Sequence, residues 1–146
     1  DSGSLSGDDT DSHIDILARF CDPETIAYLK SDDPEDPDYE SLMNMEAQLQ
    51  SFKTLDGKPY RLVPLPKPEQ MFLDDYPLPA SYANFLIING AVLAPGTGAE
   101  LDEVVRMRLQ EVFPDREVII IDCRPLLSGH GGLHCVTMQL PEGWLE

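Results

Sequence analysis

Apolar positions recur at helical spacing in two stretches of the chain. Within Tyr39–Phe52 they fall at steps of three and four residues, as on one face of an amphipathic helix. The same spacing predicts a second helix over Ala99–Phe113, which Pro114 and Asp115 end. The apolar positions that define the two helices are Leu42, Met45, Leu49 and Phe52, then Leu101, Val104, Val105, Leu109 and Val112.

Short apolar runs bounded by turn residues predict strands. The predicted strands are His13–Asp22, Thr25–Leu29, Tyr60–Leu65, Phe85–Ile88, Ala91–Ala94 and Glu117–Asp122. A turn at Asp22-Pro23-Glu24-Thr25 makes a hairpin of the first two strands. A turn at Asn89-Gly90 makes a hairpin of the fourth and fifth strands. Nearby prolines predict an edge position for the third strand, whereas the last run is apolar enough to be a buried strand. Residues 31–40 and 66–81 are predicted loops.

The order hairpin–helix–strand therefore occurs twice, at an offset of roughly 60 residues, as in repeat architectures. His134–Leu140 is predicted to be the first strand of a third unit. The fold class is mixed α/β (α+β). Each unit alone buries too little apolar surface, so further units are expected to complete the domain.

The charge of the chain limits its partners. Asp and Glu outnumber Lys and Arg 27 to 10 over 146 residues, and the formal net charge is −17. This argues against nucleic acid and against anionic membranes, since both need clustered basic residues. A negative field attracts small cationic ligands, although most of the carboxylates are expected to lie on solvated surface.

Other features of the sequence predict a cytoplasmic protein. No apolar run reaches the ~18 residues of a membrane span, and no basic-then-apolar signal peptide is present. Three cysteines cannot make a full disulfide framework, and free thiols suit a reducing compartment. Residues 1–11 are predicted to be loop, and Leu145-Glu146 a remnant before a purification tag.

A glycine-rich loop near the C-terminus leads to a candidate nucleophile. Gly129, Gly131 and Gly132 precede His134-Cys135, and glycines let the backbone approach a ligand closely. A cysteine after such a loop is expected to be accessible and reactive, whereas Cys21 and Cys123 lie in apolar runs and are expected to be packing thiols. If the loop runs into a strand, His134 and Cys135 face opposite ways, which argues against His134 as the base for Cys135.

His13-Ile14-Asp15 is the candidate partner of Cys135. In a strand, His13 and Asp15 would share one face. The histidine would then serve as acid–base group and the carboxylate would hold a cation. A single His-x-Asp is more often structural, but here it accompanies a glycine-flanked cysteine.

Three segments carry a resemblance to the agmatine deiminases and the bacterial peptidylarginine-deiminase-like proteins. Residues 7–15 with Ala18-Arg19-Phe20 resemble the segment around the catalytic histidine of that family. Residues 82–93 resemble a second signature, and residues 131–137 resemble the nucleophile segment. The likeness extends over nearly the whole chain.

The resemblance implies a partial pentein fold of about two hairpin–helix–strand modules and the start of a third, as the C-terminal part of a single catalytic domain. It implies that an N-terminal half is absent, along with another guanidinium-binding carboxylate. It implies hydrolysis of agmatine to N-carbamoylputrescine and ammonia through a cysteine thiouronium intermediate, without a cofactor. Cys135, His13 and Asp15 would be catalytic. Asp15, Asp9, Asn84 and Gly132 would bind the substrate.

Three alternatives stay open at this point. A zinc site could use His13, His130, His134 and Cys135, but the glycines argue against the helix that would bring His130 and His134 to one face. Within the superfamily, the substrate could be peptidyl-arginine or free arginine, or the reaction an amidinotransfer. Finally, the fragment could be a non-catalytic binding or oligomerisation module, since a partial domain exposes surface that its other modules should cover.

Overall fold

The computed structural model describes residues 3–8, 13–141 and 143–144. Its elements follow one another as two hairpin–helix–strand units with a small hairpin between them. In chain order they are β1 (Ala18–Asp22), β2 (Thr25–Lys30), α1 (Tyr39–Ser51), β3 (Arg61–Pro66), β4 (Met71–Leu73), β5 (Tyr76–Leu78), β6 (Leu86–Ile88), β7 (Ala91–Gly96), α2 (Leu101–Val112), β8 (Glu117–Asp122) and α3 (Arg124–Leu127).

The two units have the same topology. β1 and β2 pair antiparallel, and β3 lies parallel to β2 with Thr25 opposite Arg61. In the second unit, β6 and β7 pair antiparallel, and β8 lies parallel to β7 with Ala91 opposite Glu117. In each unit a helix makes the crossover between the parallel strands, as parallel pairing requires. The predicted repeat is therefore confirmed.

Two apolar clusters form the core, one within the first unit and one shared by both units. Leu42, Met45 and Leu49 of α1 are buried against the first sheet. Val105 and Leu109 of α2 are buried in a second cluster that also takes in residues of both sheets, including Ala27, Val63, Leu65, Val92 and Val118. The second cluster therefore joins the two units. The helical spacing predicted these five buried positions correctly, whereas Phe52 and Val104 of the predicted faces are exposed.

The hairpin turns follow their local chemistry. Asp22 Oδ1 accepts a hydrogen bond from the Glu24 amide at 2.7 Å, which closes the turn between β1 and β2. Gly90 has a φ of 78°, a left-handed conformation that glycine adopts without strain, at the turn between β6 and β7. Both predicted hairpins are confirmed.

Three predictions about extended segments are wrong. The predicted first strand begins instead with a 3-10 turn at Ile14–Ile16, and only Ala18–Asp22 is extended. The predicted loop 66–81 contains the β4–β5 hairpin. The predicted strand over His134–Leu140 is absent, because residues 133–136 form turns and residues 137–140 lie outside any helix or strand.

β8 also differs from its prediction as a buried strand. Among its residues only Val118 is buried. The physical reason is its position: β8 is the edge strand of a three-stranded sheet and packs against α2 on one face.

Candidate active site

A short 3-10 turn places Asp15. Ile16 and Leu17 are buried in the first apolar cluster, and Leu17 N donates to Ile14 O at 2.9 Å, which closes the turn. Ser81 lies in the segment before β6, and its Oγ donates to Ile16 O at 2.5 Å. Asp15 is thereby held between the two units. The expectation that His13 and Asp15 share the face of a strand is wrong, since Asp15 belongs to a 3-10 turn that His13 precedes.

Asn84 connects the segments that make up the site. Asn84 is 1% exposed, and it follows the buried residues Tyr82 and Ala83 just before β6. Its Nδ2 donates to Asp15 Oδ2 at 3.0 Å and lies 3.4 Å from Cys135 Sγ. Its Oδ1 accepts from the His134 amide at 2.8 Å. One buried amide therefore binds both the Asp15 turn and the Cys135 loop.

Cys135 is exposed and lies beside the Asp15 carboxylate. Its Sγ is 3.6 Å from Asp15 Oδ2 and 3.7 Å from Asn84 Oδ1. A thiol that is accessible and also close to an oriented carboxylate can react with a small cation held by that carboxylate. Cys135 and Asp15 are thus brought together, from opposite ends of the chain.

Gly132 allows the loop to pass close to Asn84. A Cβ at this position would lie 2.2 Å from Asn84 Oδ1 and 2.7 Å from Asn84 Cγ. Only glycine leaves the Asn84 amide in place. The structure thus places the predicted substrate-binding Gly132 against Asn84, where it supports the geometry of the site.

His134 lies in the site, although the sequence argued against it as the base for Cys135 and predicted no other role for it. Its Nδ1 lies 2.8 Å from Asp15 Oδ2, so His134 and Cys135 both contact the same carboxylate oxygen. The two side chains do not alternate as they would in a strand, because this segment is a turn. The signal was available in the glycines at 129, 131 and 132, which favour turns over strands.

The surroundings of Asp15 favour the ionised form of its carboxylate. Burial by itself would raise the pKa of Asp15, but the hydrogen bond and electrostatic attraction of His134 oppose it. Together with hydrogen bonds from Asn84 and Cys135, they hold this pKa below its ordinary value of 3.8. At neutral pH the site therefore presents a fixed negative charge next to the thiol.

Arg19 supports the site from β1. Its Nη1 donates to Phe85 O at 2.9 Å, and its guanidinium carbon lies 5.4 Å from the centre of the Phe85 ring. Burial lowers the pKa of Arg19, and the attraction of the nearby Asp15 carboxylate offsets this only in part. Arg19 therefore ties β1 to the start of β6 and places a cation on the Asp15 side of the molecule.

The other predicted residues have different positions. The His13 side chain is exposed, and within the described part of the chain it makes no hydrogen bond or ion pair. His13 is not part of the bonded cluster of Asp15, Asn84, His134 and Cys135. Asp9 lies outside the described residues.

The two remaining cysteines differ from Cys135. Cys123 is buried, and Cys21 is half-buried with a pKa that burial raises to about 11. Both are packing thiols, as predicted.

In the part of the chain that the structure describes, no three His, Cys, Asp or Glu side chains are grouped to hold a metal ion. None of the described helices has the length and apolar character to cross a membrane.

Comparison with known proteins identifies the family. The sequence model of the Porphyromonas-type peptidyl-arginine deiminases matches residues 1–141. The chain belongs to this deiminase family. Agmatine deiminase of Pseudomonas syringae pv. tomato is 32% identical over 155 aligned positions, which cover 94% of this chain and 42% of the relative.

Solved structures agree with the family assignment. A Porphyromonas gingivalis protein provisionally described as an arginine deiminase is 58% identical with a TM-score of 0.95, over 97% of this chain and 42% of that one. C. jejuni agmatine deiminase with substrate bound is 38% identical with a TM-score of 0.85, over 92% of this chain and 39% of that one. The predicted partial pentein fold is confirmed. The chain spans about two fifths of the length of these relatives.

Proposed function

We propose that this chain carries the cysteine part of a guanidine C–N hydrolase site. The reaction converts agmatine and water into N-carbamoylputrescine and ammonia. The observation that supports it is the 3.6 Å separation of Cys135 Sγ and Asp15 Oδ2. A carboxylate next to a reactive thiol is the arrangement needed to hold a guanidinium with its carbon facing a nucleophile.

Asp15 provides the orientation. A guanidinium is charged at all working pH values and donates N–H groups in a fixed plane. The ionised Asp15 carboxylate accepts from two of its nitrogens or from one, and this contact sets the position of the carbon relative to Cys135. The substrate cation also offsets the repulsion that a thiolate would feel from a carboxylate 3.6 Å away.

The chemistry proceeds in two steps. Cys135 as thiolate forms an S–C bond to the guanidinium carbon, and a C–N bond breaks as one nitrogen leaves as ammonia after it receives a proton. Water then attacks the thiouronium carbon, the S–C bond breaks and the thiolate is regenerated. One guanidinium cation and one water give one neutral urea and one ammonium ion, so no redox cofactor is needed.

His13 is the proposed acid–base group. It directly precedes the turn that carries Asp15, and its exposed side chain is not held by another described residue. An exposed imidazole at this position can protonate the departing nitrogen and then deprotonate the water. Asp9 is proposed to bind the distal amine of the substrate, as the resemblance of residues 7–15 implies. Asn84 is proposed to contribute to substrate binding through Asp15.

Agmatine is the preferred substrate of this proposal because the segment before His13 resembles the agmatine deiminases, and several relatives bear that name. The net charge of −17 also favours a small dication. A peptidyl-arginine or free-arginine substrate is the second candidate. It is supported by the matching family model and by the 58% identical P. gingivalis protein.

Residues 1–146 are proposed to be the C-terminal part of one catalytic domain, inactive without an N-terminal half. Ile14 and Phe20, close to Asp15 along the chain, expose 62% and 61% of their surfaces. With Asp15 and Arg19 they line a cavity of about 300 Å³. An apolar surface beside a catalytic carboxylate fits contact with further modules. The same surface supports the alternative that the chain alone serves for binding or oligomerisation.

Two alkylating reagents of matched size test the proposal on the chain itself. Chloroacetamidine is a cation that resembles a guanidinium, whereas chloroacetamide is its neutral analogue. Peptide mass spectrometry measures the rates of both reagents at Cys135. The amidine-to-amide rate ratio, divided by the same ratio for free glutathione, reports the electrostatic attraction of Asp15 for a cation. We expect Asp15→Asn to lower this ratio about tenfold, as loss of a charged hydrogen bond does. A wild-type ratio equal to that of glutathione would contradict the proposal.

A further inference from the structure

We infer that His134 is a positioning residue that acts through Asp15. Its imidazole fixes Asp15 Oδ2 beside Cys135 and leaves Asp15 Oδ1 to accept the cationic substrate. The inference rests on the proposed function, since it concerns how Asp15 is oriented toward a guanidinium. It also goes beyond the family resemblance, which gave His134 no role.

The direction of the hydrogen bond follows from charge. The Asp15 carboxylate, with its lowered pKa, is ionised at neutral pH and can only accept hydrogen bonds. His134 Nδ1 lies 2.8 Å from Asp15 Oδ2 and must therefore carry the proton. The bond is then charge-assisted, which makes it one of the stronger kinds in a protein.

The donors around Asp15 are distributed unevenly between its two oxygens. Oδ2 accepts from His134 Nδ1 at 2.8 Å and from Asn84 Nδ2 at 3.0 Å, and it lies 3.6 Å from Cys135 Sγ. Within the described ranges, no hydrogen bond reaches Oδ1. Because a carboxylate is planar, anchoring Oδ2 on two sides also sets the direction of Oδ1. Oδ1 is thereby left to accept a hydrogen bond from a cation.

The loop backbone places the imidazole independently of Asp15. The His134 amide donates to Asn84 Oδ1 at 2.8 Å, and Thr137 Oγ1 donates to His134 O at 2.8 Å. These bonds fix the peptide that also leads to Cys135. The same short turn therefore presents the nucleophile and the residue that orients its carboxylate partner. A deletion of the imidazole should disturb Asp15 without displacing Cys135.

The experiment uses the same two alkylating reagents on His134→Ala, His134→Asn and His130→Ala. His134→Ala should lower the amidine-to-amide ratio at Cys135 about tenfold, with little change in the rate for neutral chloroacetamide. His134→Asn should restore most of the ratio, since its Nδ2 can occupy the position of the imidazole Nδ1. His130 lies in the same loop and contacts the Tyr76 ring, so His130→Ala should leave the ratio unchanged.

The outcomes separate this inference from the proposed function. If Asp15→Asn lowers the ratio and His134→Ala does not, the proposed function stands and the positioning role is wrong. If His134→Ala raises the ratio, the imidazole competes with the substrate cation for Asp15, which also overturns the inference. If the wild-type chain shows no amidine preference, both fail. A loss in His134→Ala that His134→Asn does not rescue, or a matching fall in the chloroacetamide rate, would indicate a merely structural role.

Discussion

Asn84 donates through one amide nitrogen to two atoms of Asp15, the side-chain Oδ2 at 3.0 Å and the backbone oxygen at 3.3 Å. The two residues are 69 positions apart and lie in different units of the fold. Since the carbonyl oxygen of the same amide accepts from the His134 backbone, Asn84 fixes both halves of the candidate site. The site is therefore held together by a buried residue rather than by the exposed nucleophile.

Removal of the Asn84 amide should destabilise the protein. In Asn84→Ala, the His134 amide and the Asp15 carbonyl oxygen lose a buried partner, which costs about 1–3 kcal/mol. Urea unfolding followed by circular dichroism measures this loss. Asn44 is exposed on α1, so Asn44→Ala is the matched control and should be nearly neutral. Equal stabilities of the two variants would contradict the role assigned to Asn84.

Gly132→Ala should damage the site more than its neighbour Gly131→Ala. The new Cβ at 132 would meet Asn84 Oδ1 at 2.2 Å, whereas a Cβ at 131 would meet only ordinary contacts at 3.6 Å and 3.9 Å. We expect Gly132→Ala to lose about 1–3 kcal/mol of stability, as overpacking does, and to lower the amidine preference of Cys135. If both glycine variants lose the same stability and amidine preference, the close approach to Asn84 does not restrict position 132 to glycine.

The buried Lys67 should be essential to the first unit. Its Nζ lies 2.5 Å from Asp36 Oδ1 and 2.8 Å from Asp38 Oδ2, and the side chain is 5% exposed. Lys67→Met leaves two carboxylates without their cation, which we expect to cost about 3–5 kcal/mol. Lys58 is exposed, and Lys58→Met is the control.

The pH dependence of this variant provides a second test of the same ion pair. Burial raises the pKa of Asp36, but the hydrogen bond from Lys67 and others hold it below the ordinary 3.8. A lowered folded-state pKa contributes stability above the unfolded value of 3.8, and this contribution is lost as the pH falls through the folded value. The destabilisation by Lys67→Met should therefore be largest near pH 7 and shrink toward pH 3. A constant difference across that range would contradict the pairing.

The three cysteines should react in a definite order. Cys135 is exposed, Cys123 is buried, and burial raises the pKa of Cys21 to about 11. At pH 8 only about one part in a thousand of such a Cys21 is thiolate. Chloroacetamide at pH 8 should therefore label Cys135 first, as peptide mass spectrometry would show. Faster labelling of Cys21 or Cys123 would mean that the folded chain opens before it reacts.

Periodicity predicted the parts of the fold that are governed by burial. α1 and α2 carry apolar residues at helical spacing, and Asn89-Gly90 carries a turn signal that few other dipeptides match. The β4–β5 hairpin was missed because three-residue strands give too little periodicity. A local signal was present: Asp74-Asp75 separates Met71–Leu73 from Tyr76–Leu78, and both aspartates have the positive φ that such a turn requires, 49° and 64°.

The candidate site was predicted only in part, because its geometry is set by contacts between distant segments. Cys135 and Asp15 were selected by residue type and resemblance, and the fold brings them together. Strand alternation predicts opposite directions for the His134 and Cys135 side chains, but this segment is a turn and both side chains contact Asp15. No sequence pattern predicts that Asn84 contacts both Asp15 and His134, since these contacts depend on how the two units pack.

Ammonia release from agmatine tests the central claim most directly. The chain would be measured alone, together with an N-terminal half expressed separately, and as the same pair with Cys135→Ala. The account predicts ammonia and N-carbamoylputrescine only from the pair, and none when Cys135 is replaced. A folded complex that releases no ammonia from agmatine, free arginine or peptidyl-arginine would contradict it.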